Sequence, residues 1–174
     1  MLKLLRLTSE YVSLEDRFQV VGISEQETRI SLWLTQSLLL KILPPLLKWV
    51  EKQTPAQFNA PPSNKQGNDM LLVFAHQAAR AEFKGSPAVR SAPEDPSELV
   101  SSVDISRSDQ GVRLVFKTAG SAVAGIVLDA GQLRQWLDIM QRQWQIARWP
   151  TKIWPPWLGN SEKSIGAENV NATH

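Results

Sequence analysis

Residues 29–39 read Arg-Ile-Ser-Leu-Trp-Leu-Thr-Gln-Ser-Leu-Leu, and residues 123–133 read Val-Ala-Gly-Ile-Val-Leu-Asp-Ala-Gly-Gln-Leu. In each stretch, apolar side chains recur at strand spacing, and a residue type that caps helices then precedes a new apolar stripe. The capping residues are Thr35 and Asp129, which lie 94 positions apart. Both stretches therefore predict a strand followed by a capped helix.

The same offset relates the segments that come before these strands. It aligns Phe18 with Val112 and Val20 with Leu114. Apolar and polar residues alternate in both segments, as they do in half-buried strands. A first strand is expected before each segment, at roughly residues 5–12 and 101–106. The pattern predicts a β-β-β-α unit that is used twice.

The two predicted pseudo-repeats span about residues 5–52 and 99–147. One unit alone cannot bury a sheet face, but two units together can form one antiparallel sheet with both long helices on one face. We therefore predict an α+β fold with internal pseudo-two-fold symmetry. The alternative is that two strand-hairpin-helix patterns align by chance, since few residues are identical between the units.

The remaining segments complete a single predicted domain over residues 1–158. A short connecting helix, capped by Asp69, is expected over residues 70–83. Residues 159–174 are polar and aperiodic, which predicts a disordered tail.

The first long helix is predicted to begin at Gln36 and to be apolar on more than one side. Leu38, Leu40 and Trp49 lie off its main stripe, so a second helix or another chain must cover them. Pro44 and Pro45 should kink or divide this helix, because proline lacks the amide donor.

The composition excludes several classes of protein. The 174 residues are 43% apolar, carry a net charge of only +2 and contain no cysteine, which excludes disulfides and thiolate metal sites. The most apolar stretch is interrupted by lysine and proline, and the first residues lack the apolar core of a signal peptide. We expect a cytoplasmic protein without membrane insertion.

No catalytic or metal motif stands out. His76 has Ala79 and Arg80 at the positions where a helical metal site would place a second ligand, which favours a partly exposed helix histidine. Glu10 and Asp104 occupy equivalent positions in the two units, but like charges on neighbouring strands more often stay apart in solvent. We therefore predict a protein that is not an enzyme and has no cofactor or metal.

The segment after the last helix holds Trp149, Trp154 and Trp157, each next to proline. Two interpretations are open: the tail folds back and its rings cover the domain, or the rings anchor a partner protein. On the second interpretation, the predicted partner-binding residues are these three and Trp49 of the two-sided helix. The leading hypothesis is a non-enzymatic interaction protein that self-associates or binds a partner through these surfaces.

A second functional hypothesis is single-stranded nucleic-acid binding on the open sheet face. Alternation directs Arg29, Trp33 and Arg113 outward, where stacking and phosphate contacts would occur. Against it, the basic residues are scattered among acidic ones instead of forming a stripe.

Overall fold

The computed structural model describes residues 1–57, 65–83, 85 and 87–159. The predicted tail therefore lies outside the described residues from position 160 onward. The elements follow one another as β1 (Leu2–Val12), β2 (Arg17–Ser24), β3 (Arg29–Leu34), α1 (Gln36–Gln57), α2 (Lys65–Glu82), β4 (Ser97–Leu99), β5 (Ser102–Arg107), β6 (Val112–Thr118), β7 (Ser121–Leu128), α3 (Ala130–Ile146), a 3-10 turn (Thr151–Ile153) and α4 (Pro156–Gly159).

The α+β class is confirmed, but the prediction of a purely antiparallel sheet is wrong. The seven described strands form a mixed sheet in the order β4-β3-β2-β1-β7-β6-β5. Neighbours within β1-β2-β3 and within β5-β6-β7 are antiparallel, whereas β1 pairs with β7, and β3 with β4, in parallel. The parallel pairs arise where the two halves of the chain meet, because each half begins and ends with strands that run the same way.

The two edges of this sheet meet at one short stretch of chain. β4 and β5 lie at opposite ends of the strand order, yet only Val100 and Ser101 separate them in sequence. The Val100 amide donates to the Trp33 carbonyl oxygen at 2.9 Å, and the Ser101 amide donates to the Lys117 carbonyl oxygen at 2.9 Å. Segment 97–107 therefore pairs first with β3 and then with β6, and the sheet curls until its edges are joined.

The predicted units are compatible with the observed elements. β2, β3 and α1, shifted by the 94-residue offset, fall on β6, β7 and α3. At the junction, however, the first strand of one unit pairs with the third strand of the other, so equivalent strands do not meet there. The pseudo-repeat stays a prediction.

Two predicted helix boundaries are wrong. α2 begins at Lys65 instead of Met70, so Asp69 lies inside the helix and does not cap it. α1 continues from Gln36 to Gln57, so the proline pair does not divide it, and the alternative of a kink stays a prediction. The cap at Asp129 is confirmed: its side chain accepts from the Gln132 amide at 2.8 Å, and the Gln132 side chain accepts from the Asp129 amide.

A single hydrophobic core lies between the inner face of the curled sheet and the helices. α1 is buried on more than one side, and among its off-stripe residues only Leu40 is largely exposed. The second side of α1 is covered by this chain's own α2, α3 and 3-10 turn. The fully buried large residues are Phe18, Leu32, Leu34, Leu39, Leu43, Leu46, Leu114, Phe116, Leu133, Arg134, Leu137 and Trp144.

A helix that crosses a membrane needs about 20 consecutive, predominantly apolar residues. Within the part of the chain that the structure describes, no helix meets that requirement.

Candidate functional site

The segment after α3 folds back onto the domain. Trp149 and Trp157 expose 8% and 5% of their surfaces, and Trp154 is half-buried. The fully buried Trp144 of α3 packs edge-on against both Trp149 and Trp154, with ring centroids 4.9 and 5.7 Å apart. Its indole nitrogen donates to the Pro150 carbonyl at 3.1 Å, which holds the start of the tail in place.

Three of the four candidate partner-binding tryptophans are satisfied inside the chain. The Trp157 indole nitrogen donates to a Glu51 carboxylate oxygen at 3.1 Å, and that of Trp149 donates to Asp16 at 3.2 Å. Trp49 is 5% exposed and its nitrogen donates to the carbonyl of Ser108. These rings hold the domain together in this structure, and a partner role for them stays a prediction.

The candidate nucleic-acid residues do not form one cluster. Arg29 and Trp33 lie at opposite ends of β3, about 13 Å apart at the strand rise of ~3.3 Å per residue. The Trp33 indole nitrogen is held by the Ser97 hydroxyl at 2.8 Å. Arg113 is exposed on β6, on the other half of the sheet.

Within the described residues, the outer sheet face is covered on one half and open on the other. Loop residues 87–96 cover the outer side of β1, β2 and β3, where the Val89 amide donates to Thr8 Oγ1 at 2.9 Å and the Gln19 side-chain amide donates to Ser91 Oγ at 3.5 Å. The outer side of β5, β6 and β7 carries an ion pair between Asp104 and Lys117.

A seam runs between β1 and β7, where the halves of the sheet join. The registered pairs are Leu2 with Ala124 and Lys3 with Gly125, and the β1–β2 register shifts directly afterwards, between Leu4 and Arg6. Such a bulge bends the strand and increases its twist, and the registered β1–β7 pairing ends at Lys3. The free edge of β1 therefore begins near Leu5.

Helix α3 lies across this seam. The Trp136 indole nitrogen donates to Ser9 Oγ at 2.9 Å, and the Tyr11 amide of β1 donates to Gln143 Oε1 at 2.9 Å. Gln143 therefore supplies one backbone hydrogen bond that a neighbouring strand would otherwise make, and Trp136 holds the Ser9 side chain. They leave the part of the edge before Ser9 beside open space.

That space is a cleft of about 490 Å³, which we call the seam cleft. Its volume lies within the ~300–1,000 Å³ of typical ligand sites. Five consecutive β1 residues, 5–9, line it; side chains alternate along a strand, so a consecutive run means that the strand edge itself borders the cleft. The other lining residues are Glu82, Phe83, Pro87, Ala88, Val89, Ile126, Leu128, Gln132, Gln135, Trp136 and Ile139.

The backbone groups at this edge can be assigned a direction. The amide of Ser31 and the carbonyl of Trp33 point to β4. Because the backbone groups of successive residues point to opposite sides of a strand, those of the even-numbered residues of β3 point to β2. By register, the backbone groups of the odd-numbered residues of β2 point to β1. The amides of Thr8 and Glu10 then point to β2. Those of Leu7 and Ser9 point toward the cleft, as that of Tyr11 points to Gln143.

A basic groove adjoins the seam cleft. It has a volume of about 190 Å³ and shares Phe83, Gln135 and Ile139 with the cleft; its other lining residues are Arg80, Asp138 and Arg142. Asp138 is buried at its floor and forms ion pairs with Arg142 and, at 3.7 Å, with Arg80. The side chain of Arg80 is 38% exposed and that of Arg142 is 51% exposed, so both also face solvent.

Asp138 also contacts His76, and the prediction that this histidine is partly exposed is wrong. His76 is 1% exposed, and its Nε2 lies 3.1 Å from Asp138 Oδ1. Burial raises the pKa of Asp138, but the hydrogen bond with His76 and the charges of Arg142 and Arg80 outweigh it and hold the pKa below its usual value. The carboxylate is therefore ionised at neutral pH, and His76 Nε2 donates to it.

The other ring nitrogen of His76 makes no hydrogen bond to any described residue. His76 Nδ1 is buried without a hydrogen-bond partner, and the ring packs edge-on against Trp157 at 5.8 Å. This arrangement anchors α2, α3 and α4 to one another. Among the described residues, no group of three or more His, Asp or Glu side chains is placed to hold a metal ion.

Arg134 is a second buried polar residue. It is 1% exposed, and its Nη2 donates to Thr54 Oγ1 at 2.6 Å, while its Nε and Nη1 have no hydrogen-bond partner. Desolvation lowers the pKa of Arg134 to about 10. Arg134 lines neither the seam cleft nor the basic groove.

Comparison of the chain with known protein families, with curated proteins and with solved structures returned no match.

Sequence reasoning did not find the seam cleft or the basic groove. The one local signal was the consecutive pair Leu4 and Leu5, which breaks the alternation of β1 where the register shifts. The groove had no signal in the sequence, because Arg80 and Asp138 lie on different helices and meet only through the packing of α2 on α3.

Proposed function

We propose that this protein is a non-enzymatic interaction domain that binds an extended, mainly apolar segment of a partner protein in the seam cleft. The observation that carries the proposal is the free edge of β1. The Leu7 and Ser9 amides point toward a cleft whose walls are largely apolar. A peptide that adds to a strand edge gains main-chain hydrogen bonds, and pockets beside the edge select its side chains.

The surroundings of the edge support the same function. Leu5 and Phe83 are 51% and 46% exposed, so the cleft mouth offers apolar surface that association would bury. Glutamines at positions 132 and 135 supply amide groups that can meet a peptide backbone. The candidate tryptophans, by contrast, contribute most of their surface to this chain's own core.

The experiment uses the full chain and a displayed library of random peptides, followed by calorimetry with the enriched peptide. A matched pair of variants tests the location. Ala88→Trp places a large ring on the cleft wall, whereas Ala122→Trp adds the same ring at an exposed position of β7 away from it. We expect Ala88→Trp to weaken binding at least about tenfold and Ala122→Trp to leave it unchanged.

Amide exchange measured by NMR tests the mode of binding. On peptide addition, the Leu7 and Ser9 amides should gain protection, because they acquire acceptors. The Thr8 and Glu10 amides should not change, because they already face β2. No enriched peptide, binding that is insensitive to Ala88→Trp, or unchanged exchange at Leu7 and Ser9 would each overturn the proposal.

Two control experiments test the alternative binding partners, which are a second copy of this chain and a single-stranded nucleic acid. Light scattering over a range of protein concentrations tests for a second copy, and a dimer that Ala88→Trp abolishes would replace the partner segment by this chain itself. An oligothymidylate tests the nucleic-acid alternative. Salt-sensitive binding that Arg113→Gln removes and Ala88→Trp does not would overturn the peptide proposal in favour of the sheet face.

A further inference from the structure

The charges around the cleft are not balanced. Arg6 and Glu82 lie on the cleft walls, and the adjoining basic groove adds Arg80, Arg142 and the buried Asp138. Three guanidinium groups thus face two carboxylates. The excess positive charge lies in the groove, where one carboxylate is shared by two arginines.

The arginines of the groove retain hydrogen-bonding capacity. A guanidinium carries five N–H donors in a planar fork, and the observed ion pairs with Asp138 involve one nitrogen of each arginine, Arg142 Nη2 and Arg80 Nε. Both side chains are also more than one-third exposed. Asp138, in contrast, is buried at the floor and holds both arginines toward the groove.

The groove is continuous with the cleft through shared walls. Phe83, Gln135 and Ile139 line both, so a chain lying along β1 passes within side-chain reach of the arginine pair. Successive side chains of an added strand point to opposite sides. An apolar residue can therefore face the cleft while its neighbour reaches over Phe83 into the groove.

We infer that the partner segment carries an aspartate or glutamate side chain next to its apolar residues, and that this carboxylate pairs with Arg80 and Arg142. The inference rests on the proposed function of the cleft and names the charge that gives it specificity. Guanidinium–carboxylate pairs are directional and stronger than neutral hydrogen bonds. An acidic residue at one position is the chemistry that this groove complements.

A double-mutant cycle tests the inference, with the enriched peptide and a version in which its acidic residue is replaced by the amide. Arg80→Gln is the test variant, because it leaves the tighter Arg142–Asp138 pair intact. Arg113→Gln, exposed on β6, is the matched control for overall charge. We expect Arg80→Gln to weaken the acidic peptide about three- to tenfold, to leave the amide peptide unchanged, and to reduce the salt dependence of binding.

Different experimental results would overturn the acidic anchor and the binding of peptides in the seam cleft. Enriched peptides without an acidic position, or equal effects of Arg80→Gln on both peptides, would overturn the acidic anchor even with Leu7 and Ser9 protected. Equal weakening by Arg80→Gln and Arg113→Gln would also overturn it, because the effect would then come from net charge. Loss of all peptide binding in the wild type would overturn the cleft itself.

Discussion

Replacement of Trp157 by alanine should destabilise the fold, because this ring fastens the end of the described chain to the helices. Trp157 is 5% exposed, packs on His76 and donates to Glu51. A tryptophan buries about 150–250 Å², which corresponds to about 4–6 kcal/mol at ~25 cal/mol per Å². Partial burial in the unfolded chain reduces this to about 3–4 kcal/mol, within the usual range for Trp→Ala.

Urea unfolding followed by far-ultraviolet circular dichroism measures this loss. Trp157→Phe keeps most of the ring contacts and loses the indole donor to Glu51, so its free energy of unfolding should fall by only about 1–2 kcal/mol. Ile146→Ala, at a position that is 63% exposed, should change it by less than about 0.5 kcal/mol. If the urea midpoint of Trp157→Ala equals that of the wild type, the packing of the tail against the helices is refuted. If this variant loses partner binding at unchanged stability, the tail is an interface.

Two further predictions concern buried charges. Asp138→Asn should lower the free energy of unfolding by about 3 kcal/mol at pH 7, since it leaves His76 and two arginines without their carboxylate. Because the folded-state pKa of Asp138 lies below the unfolded value of 3.8, this stabilisation is present above that pH and is lost as the pH falls through the folded-state pKa. Wild type and variant should therefore converge in acid, and a constant difference down to pH 2 would contradict the ion pairs. Arg134→Met should raise the free energy of unfolding by about 1–3 kcal/mol, because it removes a buried charge that has two unpartnered nitrogens. Since burial lowers the pKa of Arg134 to about 10, the difference should shrink as the pH rises from 10 toward 12.5, and a less stable variant would show that the guanidinium stabilises the fold.

Local features of the fold could be predicted because neighbouring residues determine them. The alternation over 29–34 and over 112–116 marks strands, and Asp129 with Gln132 forms a capping box within one turn. β4 could not be predicted, because Ser97–Leu99 is too short to show a period. The start of α2 was missed because Lys65–Asp69 is polar and no apolar stripe extends through it.

The strand order of the sheet and the candidate site could not be predicted, because both depend on contacts between residues that are distant in sequence. The parallel contact of Leu2 with Ala124 depends on how two halves of the chain meet, and no spacing in the sequence records it. The same holds for the tryptophans. Their proline neighbours left two interpretations open, and no spacing in the sequence shows that Trp149 packs on Trp144 or Trp157 on His76. The large apolar area of these rings makes such burial favourable.

The stretch that joins the two edges of the sheet also sets an order of events during synthesis. β3 is complete at Leu34, but the strand that pairs with its outer edge begins only at Ser97, about sixty residues later. Until then, the first half of the chain presents unpaired backbone groups on which other chains can build. Chains that end before Ser97 should therefore be prone to aggregate, and the protection of the first half of this protein is encoded in its second half.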